Sequence, residues 1–315
     1  MGFFSNRYNK PGPGVGKNEP EKRRIVVFFE VYFRHFWQLE QTNLIFLLFT
    51  IPVIVLLFGI NILIYKATTN GLIVNFLTFL PLVLLMIPIS GMTYVTRNMA
   101  REEHAFIWYD FVDQMKKNWK QSLIHGLVTY LVYFCGYYAI RFYWLRAATS
   151  WFFIIPGALL TLLLIAFTFA QYYIMLQIVT FDLSYRNIVK NSFLFSIMAF
   201  LRNFLQTILH VVVWGLIILY LSDAENGGVI FGVLLLLLGI PVTTSFLINF
   251  LSYPVVVKYM IKPAYSPDEG KSDQYQEGDH YKPLEDNGEK PEYVFENGRL
   301  VRRMDDVETL FEDRK

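Results

Sequence analysis

Residues 42–96 read TNLIFLLFTIPVIVLLFGINILIYKATTNGLIVNFLTFLPLVLLMIPISGMTYVT, and Lys66 is the only Lys, Arg, Asp or Glu among them. A soluble domain carries about 25% charged residues and cannot hide an apolar run of this length in one core. A helix needs roughly 20 apolar residues to cross a hydrocarbon layer of ~30 Å. The stretch supplies two such runs, parted by the polar residues around Thr68 to Asn70. Residues 121–181 repeat the pattern, with Arg141 and Arg146 as their only charges. Over all 315 residues the chain is 54% hydrophobic and 17% charged. This excludes a soluble enzyme, a secreted disulfide scaffold and a nucleic-acid-binding domain; the implied partner is the lipid bilayer. The single cysteine, Cys135, allows no intramolecular disulfide and reads as a small apolar residue.

Working outward gives six spans: 42–65, 71–95, 121–140, 151–178, 203–221 and 229–257. The expected fold is an all-α membrane protein, a polytopic bundle of six transmembrane helices with an interfacial N-terminal helix. Pro52, Pro81, Pro88, Pro156 and Pro241 lie inside spans and predict kinks. Residues 1–24 form a basic cytoplasmic arm with Lys22, Arg23 and Arg24. They are polar and do not read as a cleavable signal peptide. Residues 25–41 place Glu30, Arg34, Gln38 and Gln41 at helical spacing among aromatics. They predict an amphipathic helix that lies on the membrane with Trp37 at headgroup depth, or packs on the bundle.

Lys and Arg concentrate in cytoplasmic segments of membrane proteins. With the N-terminus cytoplasmic, residues 1–41 hold seven, the loop 96–120 five, the loop 179–202 three and the chain from Lys258 onward ten. The opposite side holds only Lys66, Arg141 and Arg146. Both ends are therefore expected in the cytoplasm of a cell-membrane protein. Residues 263–315 carry fifteen acidic and eight basic groups and read as a mostly disordered acidic tail. Within it Tyr293 to Phe295 and Leu300 to Val301 flank Asn297-Gly298, a hairpin signal. Near the end Val307, Leu310 and Phe311 would share one face of a short helix.

Catalytic and metal-ligand motifs are absent, and no cofactor is implied. No carboxylate falls in a span core, which argues against a transporter built on acidic relays. His210 lies within the fifth span and His125 near the cytoplasmic end of the third; each reads as a neutral imidazole bonded across helices or as a functional group. Asn249, with Thr243 to Ser245, lines a path or glues helices. The densest constellation is residues 97–121. Arg97, Arg101, Glu102, Glu103, His104, Asp110, Lys117, Asn118 and Trp119 stand there among Phe106, Trp108, Tyr109 and Phe111. Asp110 is placed to cap a helix running into the third span. Phe111, Met115 and Trp119 recur every four residues as an apolar stripe. The segment reads as an amphipathic elbow on the membrane surface or as a docking face for another protein. Asp182 to Lys190-Asn191 echoes Asp110 to Lys117-Asn118, a faint sign of a repeated span–elbow–span unit.

Two stretches carry a family likeness. One is Gly2 to Gly14, GFFSNRYNKPGPG. The other runs from Gly91-Met92 through Arg97, Arg101-Glu102-Glu103-His104, Phe106, Trp108 and Asp110-Phe111 to Lys117-Asn118-Trp119-Lys120-Gln121. In these the chain resembles the YesL-like multi-pass membrane proteins of Gram-positive bacteria over residues 1–262. That family has no established activity, but its members are often encoded beside ATP-driven sugar importers. The resemblance thus implies an accessory of carbohydrate uptake, with subunits of a sugar importer as partners. The expected function is a non-enzymatic accessory protein docking through residues 97–121. The rival is a solute transporter or channel with His210 and the Thr243–Asn249 set along its path. A membrane-embedded enzyme has no nucleophile–base or metal signature to support it.

Overall fold

The computed structural model describes residues 22–67, 70–222, 228–261, 293–296 and 299–302. The arm before Lys22, most of the acidic tail and the short helix expected near Val307 lie outside the described residues. The described residues form ten α-helices: α1 Arg24–Arg34, α2 Phe36–Ala67, α3 Gly71–Phe79, α4 Met86–Ala100, α5 Ile107–Ala147, α6 Ile154–Thr180, α7 Tyr185–Met198, α8 Phe200–Ser222, α9 Gly228–Leu237 and α10 Ile240–Val256. Six helical stretches are long and apolar enough to cross a membrane: Phe36–Ile64, Gly71–Ala100, Ile107–Ala147, Trp151–Thr180, Phe200–Tyr220 and Ile240–Ile261. The chain is an all-α multi-pass membrane protein, as its apolar runs predict.

Residues 22–34 form a unit of their own. In α1 a Lys22–Glu30 ion pair of 2.7 Å steadies the first turns. Ile25, Phe29 and Phe33 are exposed at four-residue spacing, the apolar stripe an interfacial helix requires. The helix is shorter than the sequence predicts. It ends before His35, and Trp37 to Gln41 open α2 instead. Glu40 thus sits in the first turns of a span helix.

The second unit begins at His35. Helix α2 is apolar all round, which suits a lipid-facing span. Leu44, Leu48, Ile51, Val55, Phe58 and Ile62 form its exposed stripe, while Leu39, Asn43, Phe46 and Val53 are buried. Four of the five span prolines stand in the first turns of the helical elements that hold them. Pro81 opens a 3-10 segment, Leu80–Leu85, and Pro88, Pro156 and Pro241 stand in the first turns of α4, α6 and α10. Proline costs nothing there, because the first N–H groups of a helix lack intrahelical partners. Only Pro52 of the five lies well inside a helix.

The sixth span is divided, where the sequence predicts one run. At Gly239 the backbone turns left-handed, with φ of 84°. Asn43 of α2 donates to the freed carbonyl of Leu236 at 3.1 Å. A Cβ on Gly239 would lie 2.3 Å from a Glu40 carboxylate oxygen, a side-chain tip that can move aside, so it is the left-handed backbone that demands glycine. Beyond the break, α10 carries the most enclosed of the six spans; Val242, Phe246, Asn249, Ser252 and Val256 are buried there, and the helix packs on α4, α6 and α2. It runs through Pro254 into a π-turn, Val257–Ile261.

The expected hairpin forms. Strands β1 Tyr293–Glu296 and β2 Arg299–Arg302 pair antiparallel with Val294 opposite Val301 and Phe295 opposite Leu300.

Candidate functional site at the elbow of residues 97–121

The elbow starts with a close approach of two backbones. A Cβ on Gly91 would lie 2.5 Å from the Phe111 carbonyl oxygen and 2.9 Å from its ring. Glycine lets α4 and α5 touch there, a common device in membrane helix pairs. Phe111 is fully buried and stacks on Phe49 at 5.9 Å. From Ser90 to Met99 every residue of α4 is buried.

Arg97 is therefore not a surface residue; it is 1% exposed. Its Nη1 donates to the Val179 carbonyl and to Thr180 Oγ1, each at 3.0 Å. Its Nε and Nη2 donate to Asn98 Oδ1 at 3.1 and 2.7 Å. The guanidinium lies 4.4 Å from the centre of the Tyr94 ring. Among the described residues no carboxylate comes within ion-pair distance of it. Arg97 works as a clamp between the ends of α4 and α6. The expectation that it faces a partner is corrected: its donors are spent inside the fold.

Helix α4 ends in a Schellman motif. Glu103 N donates to Asn98 O at 2.9 Å and Glu102 N to Met99 O at 3.0 Å. The motif needs a left-handed residue, normally glycine. Here Glu102 takes it, with φ of 56°, and no other non-glycine residue among those described has positive φ. Arg101 braces the turn through an ion pair to Glu103 and lies 5.0 Å from the Tyr253 ring centre. A non-glycine residue in this region costs roughly 1 kcal/mol or more. Glu102→Gly is expected to raise the thermal midpoint of the purified protein by a few degrees. A fall in midpoint would show that the Glu102 side chain holds the turn together.

Helix α5 begins at Ile107 and runs 41 residues, about 60 Å. That is twice the hydrocarbon thickness, so its first turns project beyond the membrane. From Ile107 on the segment is helix, as the position of Asp110 predicts. Asp110 does cap it: Oδ2 accepts from Phe106 N at 2.8 Å. Lys117 pairs with Asp113 at 2.8 Å, one turn apart.

The predicted stripe of Phe111, Met115 and Trp119 is not the buried face, since Trp119 is 45% exposed. The buried face is Phe111, Gln114, Asn118, Ser122, His125 and Thr129. After Phe111 it is polar. Asn118, expected on the docking face, belongs to this seam, where its Nδ2 donates to Gln114 O at 2.9 Å. Gln121 donates to Leu183 O at 3.0 Å. His125 Nδ1 lies 3.1 Å from the Tyr185 hydroxyl. Burial pushes that hydroxyl up to about 12, so it keeps its proton at neutral pH. Three further polar links join other helices. Asn249 donates to Thr93 O at 3.1 Å and Thr96 Oγ1 at 2.7 Å, and Ser245 Oγ lies 2.9 Å from the same Thr96 oxygen. Gln177 donates to Ser192 at 2.8 Å, and Tyr173 to Asn203 at 2.7 Å. His210 bonds back to Gln206 O of its own helix at 2.7 Å.

These contacts sort the candidate residues. His125 and Asn249 bond across helices, and His210 bonds to Gln206 of its own helix with its ring 5.5 Å from that of Tyr172 on α6. Glu102, Glu103, His104, Trp108, Lys117 and Trp119 are exposed, joined by Phe106 and Tyr109. Arg101 and Asp110 are half-buried supports. Among the described residues no three His, Cys, Asp or Glu side chains are placed to share a metal ion. Sequence reasoning missed Gln114, Ser122, Tyr185 and Asn203. The signal available was the run of polar residues at positions 114, 118, 122, 125 and 129, a helical spacing inside a membrane-bound helix.

The second elbow differs in form. Helix α7 follows the short link after Phe181 and breaks at Ala199 before α8. Asn203 Nδ2 satisfies the freed carbonyls of Phe195 and Ser196 at 3.3 and 3.2 Å. Both elbows thus place a helix after a short turn and lead it into a span, but only α5 does so unbroken.

Residues 39–140 match a family described as "Protein of unknown function, DUF624". The matched stretch holds the first two spans, the turn at 101–106 and most of α5. No curated protein and no solved structure matches the chain.

Proposed function

We propose that this chain is a non-enzymatic accessory protein of a membrane transport system and that it docks on its partner through the exposed part of the elbow. The observation that carries this reading is Glu102. It occupies the left-handed position that glycine usually takes in such a turn, and it does so on the surface. Strain kept at an exposed turn suits a residue held for recognition. Beside it stand Phe106 and Tyr109, 67% and 69% exposed, and Trp108. Aromatic side chains on a braced turn make good interface anchors, because little conformational freedom is lost on binding.

The partner class comes from the resemblance to YesL-like proteins, which agrees in kind with the match to a family of unknown function. It points to an ATP-driven sugar importer in the cell membrane. The distribution of Lys and Arg supports a cytoplasmic elbow and cytoplasmic chain ends. The transport reading is weakened by the use made of its proposed path. Ser245 and Asn249 bond to Thr96 of α4, while Thr244 and His210 bond back to carbonyls of their own helices.

The test is a gentle-detergent pull-down of the tagged protein from its native membranes, grown on several carbon sources. Importer subunits are expected in stoichiometric yield on at least one of them. Replacing Glu102, His104 and Trp108 together by Ala should reduce that yield at least tenfold while the protein still inserts. Recovery of the protein alone in every condition would overturn the reading and make solute flux in vesicles the next measurement.

A further inference from the structure

The break between α7 and α8 opens a cavity of about 710 Å³ against the end of α10 and its π-turn. Two cations line it, Arg202 and Lys258, and no carboxylate does. Arg202 is pinned by one hydrogen bond, from Nη1 to the Leu251 carbonyl at 3.0 Å. Its other N–H groups have no partner among the described residues. Lys258 is exposed and lies 5.2 Å from the Tyr259 ring centre. The rest of the wall is apolar: Met198, Leu201 and Leu205 are 53%, 69% and 55% exposed.

The position narrows the occupant. Arg202 stands at the start of the fifth span and Lys258 near the end of the sixth, so the cations lie at the level where spans leave the hydrocarbon. The apolar wall does not close there. It continues down α8 as the exposed residues Leu205, Ile208, Leu209 and Val212. A ligand that fits must be anionic at one end and apolar along the other. We propose that this groove is a binding site for an anionic phospholipid, with the phosphodiester between Arg202 and Lys258 and an acyl chain along Leu201 and Leu205. Basic pockets between membrane helices suit such headgroups, and two cations amount to about a tenfold preference over a zwitterionic lipid. The site shares no residue with the elbow and stands whether or not the docking reading does.

The experiment uses the full chain in detergent, titrated with phosphatidylglycerol or with phosphatidylcholine of the same acyl chains. Bound lipid is counted by native mass spectrometry. Wild type is expected to retain phosphatidylglycerol about tenfold better. Lys258→Gln, which removes an exposed side chain, should cut the preference severalfold, and Lys258→Gln with Arg202→Gln should abolish it. Lys116→Gln with Lys120→Gln, which alters two cations elsewhere, should leave it intact. Equal loss in that control pair would overturn the site in favour of diffuse surface charge. Displacement of the lipid by millimolar inorganic phosphate would overturn the lipid assignment in favour of a free anion. Unchanged preference in the double variant that retains wild-type thermal stability would remove both residues from the site. A preference that appears only after deletion of residues 263–315 would identify the acidic tail as the native occupant and overturn the proposal.

Discussion

Arg97→Ala is expected to destabilise the bundle by about 3 kcal/mol, read as a large fall in the detergent unfolding midpoint. Ordinary hydrogen bonds between membrane helices contribute about 0.6 kcal/mol each. Bonds from a charged donor contribute more, roughly 1.5–3 kcal/mol. Arg97 makes four, to three acceptors, and two of them join α4 to α6. The truncation also empties the volume of the largest fully buried side chain among the described residues. Thr180→Val, which removes one acceptor and leaves the Val179 carbonyl in place, should cost well under 1 kcal/mol. Arg97→Met should fall between the two. It loses the bonds but fills the space, and it also removes the cost of burying a charge with no carboxylate beside it. This order separates a clamp from a docking residue. If Arg97→Ala keeps the wild-type midpoint but loses its partner, the clamp assignment fails.

The reach of sequence reasoning follows from what is local. Six apolar stretches of membrane length are a local property, and all six are present in the fold. The hairpin signal is equally local, because the residues around Asn297-Gly298 meet across it. What Arg97 touches is not local. Val179 and Thr180 lie more than eighty residues further on, and nothing near Arg97 points to them. A charge at the end of an apolar run looks like the first residue of a loop, and Arg97 was read as one. The start of α5 is legible, because Asp110 and the four-residue spacing after it predict a helix there. Asp113, Lys116, Lys117 and Lys120 resemble a solvated loop by composition, yet their spacing suits a helix with an i,i+4 ion pair.

The buried polar seam exposes a limit of hydrophobic patterning itself. In a soluble helix, Ser122, His125 and Thr129 would mark the face turned to water. Within a membrane the outer medium is apolar, so polar groups turn toward the protein. The same spacing then means the opposite orientation. The buried face of the span part of α5 therefore follows this polar seam, and His125 meets Tyr185 of α7. The break at Gly239 had a readable signal in Gly239-Ile240-Pro241, a residue free to turn left-handed followed by a proline suited to a first helical turn. It was hidden by the unbroken apolar run on either side.

Gly91→Ala should lower the unfolding midpoint, while Gly59→Ala, the same chemical change in another span, should not. In a helix interior the exchange of glycine for alanine favours the helix by up to about 1 kcal/mol. At Gly59 nothing lies within 4 Å of the new methyl group, so that gain, or no change, is the whole effect. At Gly91 the methyl would meet the Phe111 carbonyl oxygen at 2.5 Å. A backbone oxygen cannot rotate aside as a side-chain tip can. The α4 and α5 backbones must part by close to an ångström, and the Phe111–Phe49 stack moves with them. Overpacking of this kind costs about 1–3 kcal/mol, which outweighs the propensity gain. Gly91→Val adds two more carbons at the same point and should prevent stable insertion of the helix pair. The consequence extends to the surface, because Glu102, Trp108 and Tyr109 are carried by the two helices that Gly91 holds together. A Gly91→Ala protein that still folds at low temperature should therefore bind its partner more weakly than wild type, although position 91 is buried and touches no partner. Equal midpoints for the Gly91 and Gly59 variants would mean that the two helices tolerate separation, and the elbow would then lose its claim to be a rigid platform.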